Sequence, residues 1–142
     1  MSRKIPKKAK TQKSRKLEVN TKAVRTLRTL DDKEAFYFYE AVGKPTGECA
    51  RSLFDFLKKV KAVKLEILLF HLQRKDFQNW IGKTLGDSEL ARRIGKIVPS
   101  HSDDIRTKMY SIVEKRIKEL AEASPTLMIN TDLVLASQGS TS

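Results

Sequence analysis

From residue 53 onward, apolar residues recur at intervals of three and four, the spacing that gathers them on one face of an α-helix. Leu53, Phe56, Leu57 and Val60 form the first such stripe, and Ser52 with Asp55 three positions on makes a capping-box-like start. The run KLEILLFHLQR (64–74) is apolar on nearly every side, which predicts a central buried helix; so short a run also fits a strand. Asp76 then stands where a helix cap is needed, ahead of Phe77, Trp80, Ile81 and Leu85 on one face, with Gly86 as the stop. Asp87 or Ser88 reopens a helix, ELARRIGKIV, with Leu90, Ala91, Ile94, Ile97 and Val98 inward and Pro99 as terminator. The last and longest helix begins at Ser102 or Asp103. It keeps Ile105, Met109, Ile112, Val113, Ile117 and Leu120 in register and closes by Pro125.

The segment before residue 53 is less regular. Asp31 or Asp32 can cap an element running through EAFYFYEAV, but the four consecutive aromatics Phe36 to Tyr39 suit a strand as well as a helix. Gly43-Lys44-Pro45-Thr46-Gly47 reads as a turn. The expected fold is therefore mainly α: a compact bundle of about four to five short helices, with a possible short β element near residues 34–41. Beyond residue 123 the chain carries two apolar triplets, Leu127–Ile129 and Leu133–Leu135, around a turn-like Asn130-Thr131-Asp132. This tail (124–142) is read as docking on the body or meeting a partner.

Charge changes the picture at the N-terminus. Residues 1–28 hold Arg3, Lys4, Lys7, Lys8, Lys10, Lys13, Arg15, Lys16, Lys22, Arg25 and Arg28 against one acid, Glu18, so ten of the twelve net positive charges lie there. Like charges repel and the segment has no apolar face, which predicts a disordered basic arm ahead of a helical domain at 29–123. Residues 17–28 are read as able to become helical on a partner. No stretch is apolar for the 18 or more residues a membrane span needs, and no apolar run follows the positive N-terminus as in a signal peptide. The single cysteine, Cys49, permits no intramolecular disulfide. The expectation is a cytoplasmic protein that does not enter membranes.

One set of residues carries a resemblance. Ser52-Leu53…Phe56-Leu57, then Phe70-His71…Arg74…Asp76-Phe77…Trp80-Ile81, then Leu85-Gly86-Asp87…Leu90-Ala91 resembles a family of small prokaryotic, notably archaeal, domains classed as a domain of unknown function. Its hallmark is a histidine at a helix end, then D-F-x-x-W-[IV], then G-D-x-x-L-A. The similarity spans roughly residues 34–97 and leaves out the arm and the tail. It implies a compact helical body and no established activity. His71, Arg74, Asp76, Phe77, Trp80, Gly86 and Asp87 are read as mainly structural members of that signature.

The chemistry of the side chains points away from an enzyme. The two histidines, His71 and His101, are far apart in sequence, and no serine or cysteine stands in a nucleophile motif. No phosphate-binding glycine loop, metal site or cofactor is expected. A pocket using His71, Arg74, Asp76 and Trp80 is the remaining small-molecule possibility; a histidine in an apolar segment beside a helix cap is more often a satisfied core residue. The arm is the strongest functional feature, with a cation every two or three residues, dense enough for several to meet backbone phosphates at once. It has no aromatics, so base stacking cannot come from it. Arg51, Lys58, Lys61, Arg92, Arg93 and Lys96 form a possible second basic patch. The expectation is a non-enzymatic protein that binds DNA or structured RNA through electrostatic contacts. A protein-interaction or adaptor module acting through the helical body is the alternative.

Overall fold

The structure is a computed structural model, and it describes residues 21–123. Residues 21–27 are helical (α1), and a hairpin follows: β1 (Phe36–Ala41) and β2 (Lys44–Ala50) pair antiparallel. Then come α2 (Leu53–Ala62), α3 (Leu65–Arg74), the single turn α4 (Asp76–Asn79), a π-helical segment (Trp80–Leu85), α5 (Ser88–Gly95) and α6 (Asp104–Glu122). The fold is mainly α with a two-stranded sheet. Among the described residues there are six α-helical segments against the expected four to five, because α1 lies outside the expected domain; the helix read from Asp76 to Gly86 is α4 followed by a π-helix.

The chain divides into two units. The larger runs from Thr26 to Ile117, and the other comprises the flanking ends. The described residues of the flanking unit, 21–25 and 118–123, are helical up to Glu122, with Ala23, Leu120 and Ala121 buried.

Within 26–117, alternation along β1 sends Phe36 and Phe38 into the core and leaves Tyr37 outside. That resolves the aromatic run as a strand. Phe36 meets Phe38, Phe56 of α2, Phe77 of α4 and Trp80, and Phe38 meets Phe56 and Phe77, with ring centroids 5.0–6.3 Å apart. Each such aromatic pair adds about 0.5–1.5 kcal/mol to the burial of its surface. The turn falls at Val42-Gly43 rather than across Gly43–Gly47, and Pro45 sits in β2. Proline is tolerated there because, among the described residues, no further strand pairs with β2. The register jumps from Tyr37↔Cys49 to Tyr39↔Pro45, and Gly47, at φ 88, absorbs the bulge. Thr46 closes it by donating its hydroxyl to the Phe38 carbonyl (2.9 Å) and accepting from the Glu48 N–H (3.0 Å).

The helical stripes mostly point as their spacing requires. Ser52 caps α2 by accepting the Asp55 N–H (3.1 Å), and α3 buries Ile67, Leu68, Leu69, His71 and Leu72, as an all-round apolar run should. On α6, Ile105, Met109, Val113 and Ile117 are buried. Val98 is an exception at 76% exposure, because α5 ends at Gly95 and the residue lies beyond the face that would have turned it inward. Two arginines of α6 act inside the fold. Arg106 donates to the carbonyls of Val60 and Val63 (both 2.7 Å), groups that the C-terminal end of α2 leaves without helical partners. Arg116 makes a two-pronged pair with the fully buried Asp87 (2.8 and 3.1 Å).

Candidate functional site

β1 faces the junction of α3, α4 and the π-helix across an open groove of about 420 Å³. One wall is Tyr37, Tyr39 and Ala41 with the Val42-Gly43 turn. The other is Phe70, His71, Arg74, Asp76, Asn79 and Trp80. Five residues of the sequence signature, Phe70, His71, Arg74, Asp76 and Trp80, thus border one concavity. Two backbone irregularities bracket the second wall: Lys75 sits at φ 65, and the ladder slips to π geometry at Trp80. Left-handed non-glycine residues and π segments both recur at functional sites.

His71 is the centre of the hydrogen bonding. Its Nε2 accepts the Tyr39 N–H at 2.8 Å, so the ring proton resides on Nδ1, which donates to Asp76 Oδ2 at 2.8 Å. Asp76 also accepts from Arg74 Nε (3.1 Å), and the Arg74 guanidinium lies over the Phe70 ring, 5.2 Å from its centroid. Burial holds the imidazole below the ordinary histidine value, against the opposing pull of the Asp76 carboxylate. The side chain is 3% exposed, and both ring nitrogens have partners within the fold. His71 therefore pins β1 to α3 and holds no nitrogen open for proton transfer. Trp80 is 7% exposed and donates its indole N–H to the Glu34 carbonyl (2.8 Å).

Asp76 does not cap α4: the helix begins at Asp76 itself, Lys75 precedes it in the left-handed region, and no side-chain cap bond forms. The Asp76 carboxylate is turned to His71 and Arg74 instead. Asp87 does cap α5, accepting the Leu90 N–H at 3.2 Å, and Gly86 (φ 80) ends the π-helix as expected. Phe77 is fully buried.

The expected secondary basic patch is largely tied down. Arg51 pairs with Asp32. Lys61 lies over the Tyr110 ring (4.7 Å). Arg92 and Arg93 share Glu89 (2.7 and 2.8 Å) and hold its carboxyl down to about 2. Lys58 and Lys96 are exposed. Of the arm, Arg3, Lys4, Lys7, Lys8, Lys10, Lys13, Arg15 and Lys16 lie outside the described residues, as does the tail 124–142. Lys22 and Arg25 lie in α1. Arg28 donates to the Thr84 carbonyl (2.8 Å) and sits 3.9 Å from Glu34, so it is engaged by the domain.

Tyr37, Tyr39 and Asn79 enter the groove without having been singled out by sequence as site residues. The signal that could have found them is the alternation of β1, which turns Tyr37 and Tyr39 to the side opposite Phe36 and Phe38. Among the described residues no His, Cys, Asp and Glu side chains are grouped to hold a metal ion, and no helix is long and apolar enough to cross a membrane. Compared with protein-family models, curated proteins and solved structures, the chain finds no match.

Proposed function

We propose that the chain is a non-enzymatic nucleic-acid-binding protein that holds DNA or structured RNA by its phosphate backbone through the basic N-terminal arm. The observation that carries this reading is the segregation of charge: eleven cations against one acid in residues 1–28, and near balance beyond. The internal ion pairs sharpen the contrast. Each of the six arginines after residue 28 has an acidic partner within the fold: Arg51, Arg74, Arg92, Arg93, Arg106 and Arg116. Their charge is countered internally, which leaves the arm as the dominant cationic feature offered to a polyanion.

The test keeps the chain whole, because removing residues up to 28 would also delete the buried Ala23, Thr26 and Leu27. Arg3, Lys4, Lys7, Lys8, Lys10, Lys13, Arg15 and Lys16 are replaced together by Gln, and binding to duplex DNA and to structured RNA is titrated against salt. Each phosphate that the arm no longer neutralises reduces the slope of log K against log salt by about 0.9 on duplex DNA. The expected outcome is steep salt dependence in the native chain and a collapse of both affinity and slope in the variant. Affinity and slope retained by the variant would overturn the arm's role and turn attention to the helical body as a protein-interaction module.

A further inference from the structure

We infer that the groove between β1 and the α3–α4 junction is a seat for one unpaired base of a single-stranded nucleic acid. The inference deepens the nucleic-acid reading above and rests on it. The arm can meet phosphates but has no aromatic residue with which to distinguish a stacked duplex from an unstacked strand. The groove supplies what the arm lacks. Tyr37, 43% exposed, and the half-buried Tyr39 line one wall, with Phe70 and the largely buried Trp80 on the other. Single-strand binding depends on such surfaces, because every base has a face to stack.

The polar groups at the rim fit the same ligand. Asn79 is exposed on the groove wall and offers both a donor and an acceptor to a base edge. Arg74 already lies over Phe70, 5.2 Å from the ring centroid, and a guanidinium in that place can extend a stack. The groove's own acid, Asp76, is compensated by Arg74 and by the His71 N–H, so the concavity does not repel a polyanion. Two exposed lysines stand next to it along the backbone: Lys44, paired with Ala41 across the hairpin, and Lys75, between Arg74 and Asp76. A volume of about 420 Å³ lies at the lower end of ligand sites, where a single base is a better match than an extended ligand. A duplex, with its bases paired and stacked internally, presents nothing that could enter.

Trp80 is the only tryptophan of the chain and borders the groove, so intrinsic fluorescence reports directly on occupancy. The full chain is titrated with short oligouridine, oligoadenosine and a duplex of equal length, and Tyr37→Ala and Asn79→Ala are compared with it. Both positions are exposed, and an unchanged far-ultraviolet circular dichroism spectrum and melting temperature serve as the check that the variants are folded, since Tyr37 also donates its hydroxyl to the Asp32 carbonyl (2.6 Å). The expected result is quenching or a spectral shift of Trp80 with single strands and not with duplex. Tyr37→Ala should weaken single-strand binding about five- to a hundred-fold, the range of one base–aromatic stack. Single strands that bind without a Trp80 response, or equal single-strand affinity in Tyr37→Ala, would overturn the groove inference and leave the arm reading intact. Binding of neither polymer would overturn both. A Trp80 response to a proline-rich peptide but to no oligonucleotide would assign the groove to a protein partner and sink the inference.

Discussion

Two aspartates in the same short signature, Asp76 and Asp87, occupy junctions of the same design and come to different ends. Each follows a residue in the left-handed conformation, Lys75 at φ 65 and Gly86 at φ 80. After Gly86 the chain spends one more residue outside the helix. Asp87, at φ −110 and ψ 89, has the non-helical dihedrals of an N-cap and accepts the Leu90 N–H three residues on. After Lys75 the helix begins at once, so Asp76 is already inside α4 and cannot reach forward to its amides. Its carboxylate turns back to His71 and Arg74, 28% exposed at the groove, whereas the Asp87 carboxylate is fully buried against Arg116. A single backbone residue decides whether the carboxylate closes a helix in the core or shapes the wall of a concavity. The first arrangement reads as stability, the second as a site.

Breaking the core junction should have the largest effect. Arg116→Met leaves the Asp87 carboxylate buried with its main counter-charge gone, and unmaking one side of a buried pair costs about 3–5 kcal/mol. Adding Asp87→Asn to that variant removes the stranded charge while an asparagine still caps α5, so the double variant should recover a large share of the loss. Chemical denaturation of the wild type, the two single variants and the double variant measures the coupling. If the double variant is no better than Arg116→Met alone, the pair is not the unit described.

The groove junction should yield less. Asp76→Ala takes the acceptor from the His71 Nδ1–H, a cost of about 1–2 kcal/mol because the carboxylate is partly solvated. The imidazole gives a sharper reading. Its folded-state value is lowered, so between the ordinary histidine value near 6.5 and that lowered value the unfolded chain holds more protons than the folded one. The stability that His71 contributes is therefore complete above the ordinary value and is lost as pH falls towards the lowered one. Asp76 opposes the lowering, so Asp76→Ala should push the His71 midpoint down further, as followed by imidazole resonances in a proton–nitrogen NMR titration. A midpoint that rises in the variant would mean that the Asp76 carboxylate does not support the charged imidazole. A stability loss as large as that of Arg116→Met would erase the distinction between the two aspartates.

The same contrast marks what the sequence made legible. The faces of α2, α3 and α6 follow from three-and-four spacing, and the caps Ser52 and Asp87 follow from residue type beside an apolar run. Those signals are local. The aromatic run at Phe36–Tyr39 satisfied both periods, and only its partner strand and the ring cluster behind it settled the matter. The π-helix leaves no trace in the pattern, because Phe77, Trp80, Ile81 and Leu85 face inward whether the ladder closes at four residues or five. Arg116 stands among alternating charges and reads as a solvent-facing cation; its partner, Asp87, lies 29 residues away. The groove was hidden for the same reason: His71 meets the Tyr39 amide across 32 residues of sequence, and no spacing rule joins them. Its five signature residues were visible as a set, but the tyrosines opposite were not.

The smallest change addresses the residue on which the comparison turns. Lys75 holds a conformation that costs a side-chain-bearing residue on the order of 1 kcal/mol, and its backbone N–H already bonds the carbonyls of His71 and Leu72. Those bonds do not need the lysine side chain, which is exposed. Lys75→Gly relieves the backbone but also loosens the unfolded chain, so the net gain should be about 0.5 kcal/mol, or about 2–4 °C in melting temperature. Gly86→Ala should move the other way by about 1 kcal/mol, since it imposes at φ 80 the penalty that Lys75 already bears. Thermal melts of the two variants side by side make the measurement. If Lys75→Gly is destabilising, the lysine side chain contributes something to the α3–α4 junction that outweighs its strained backbone. The difference between the two aspartates would then originate in that side chain rather than in the missing extended residue between the left-handed turn and the helix.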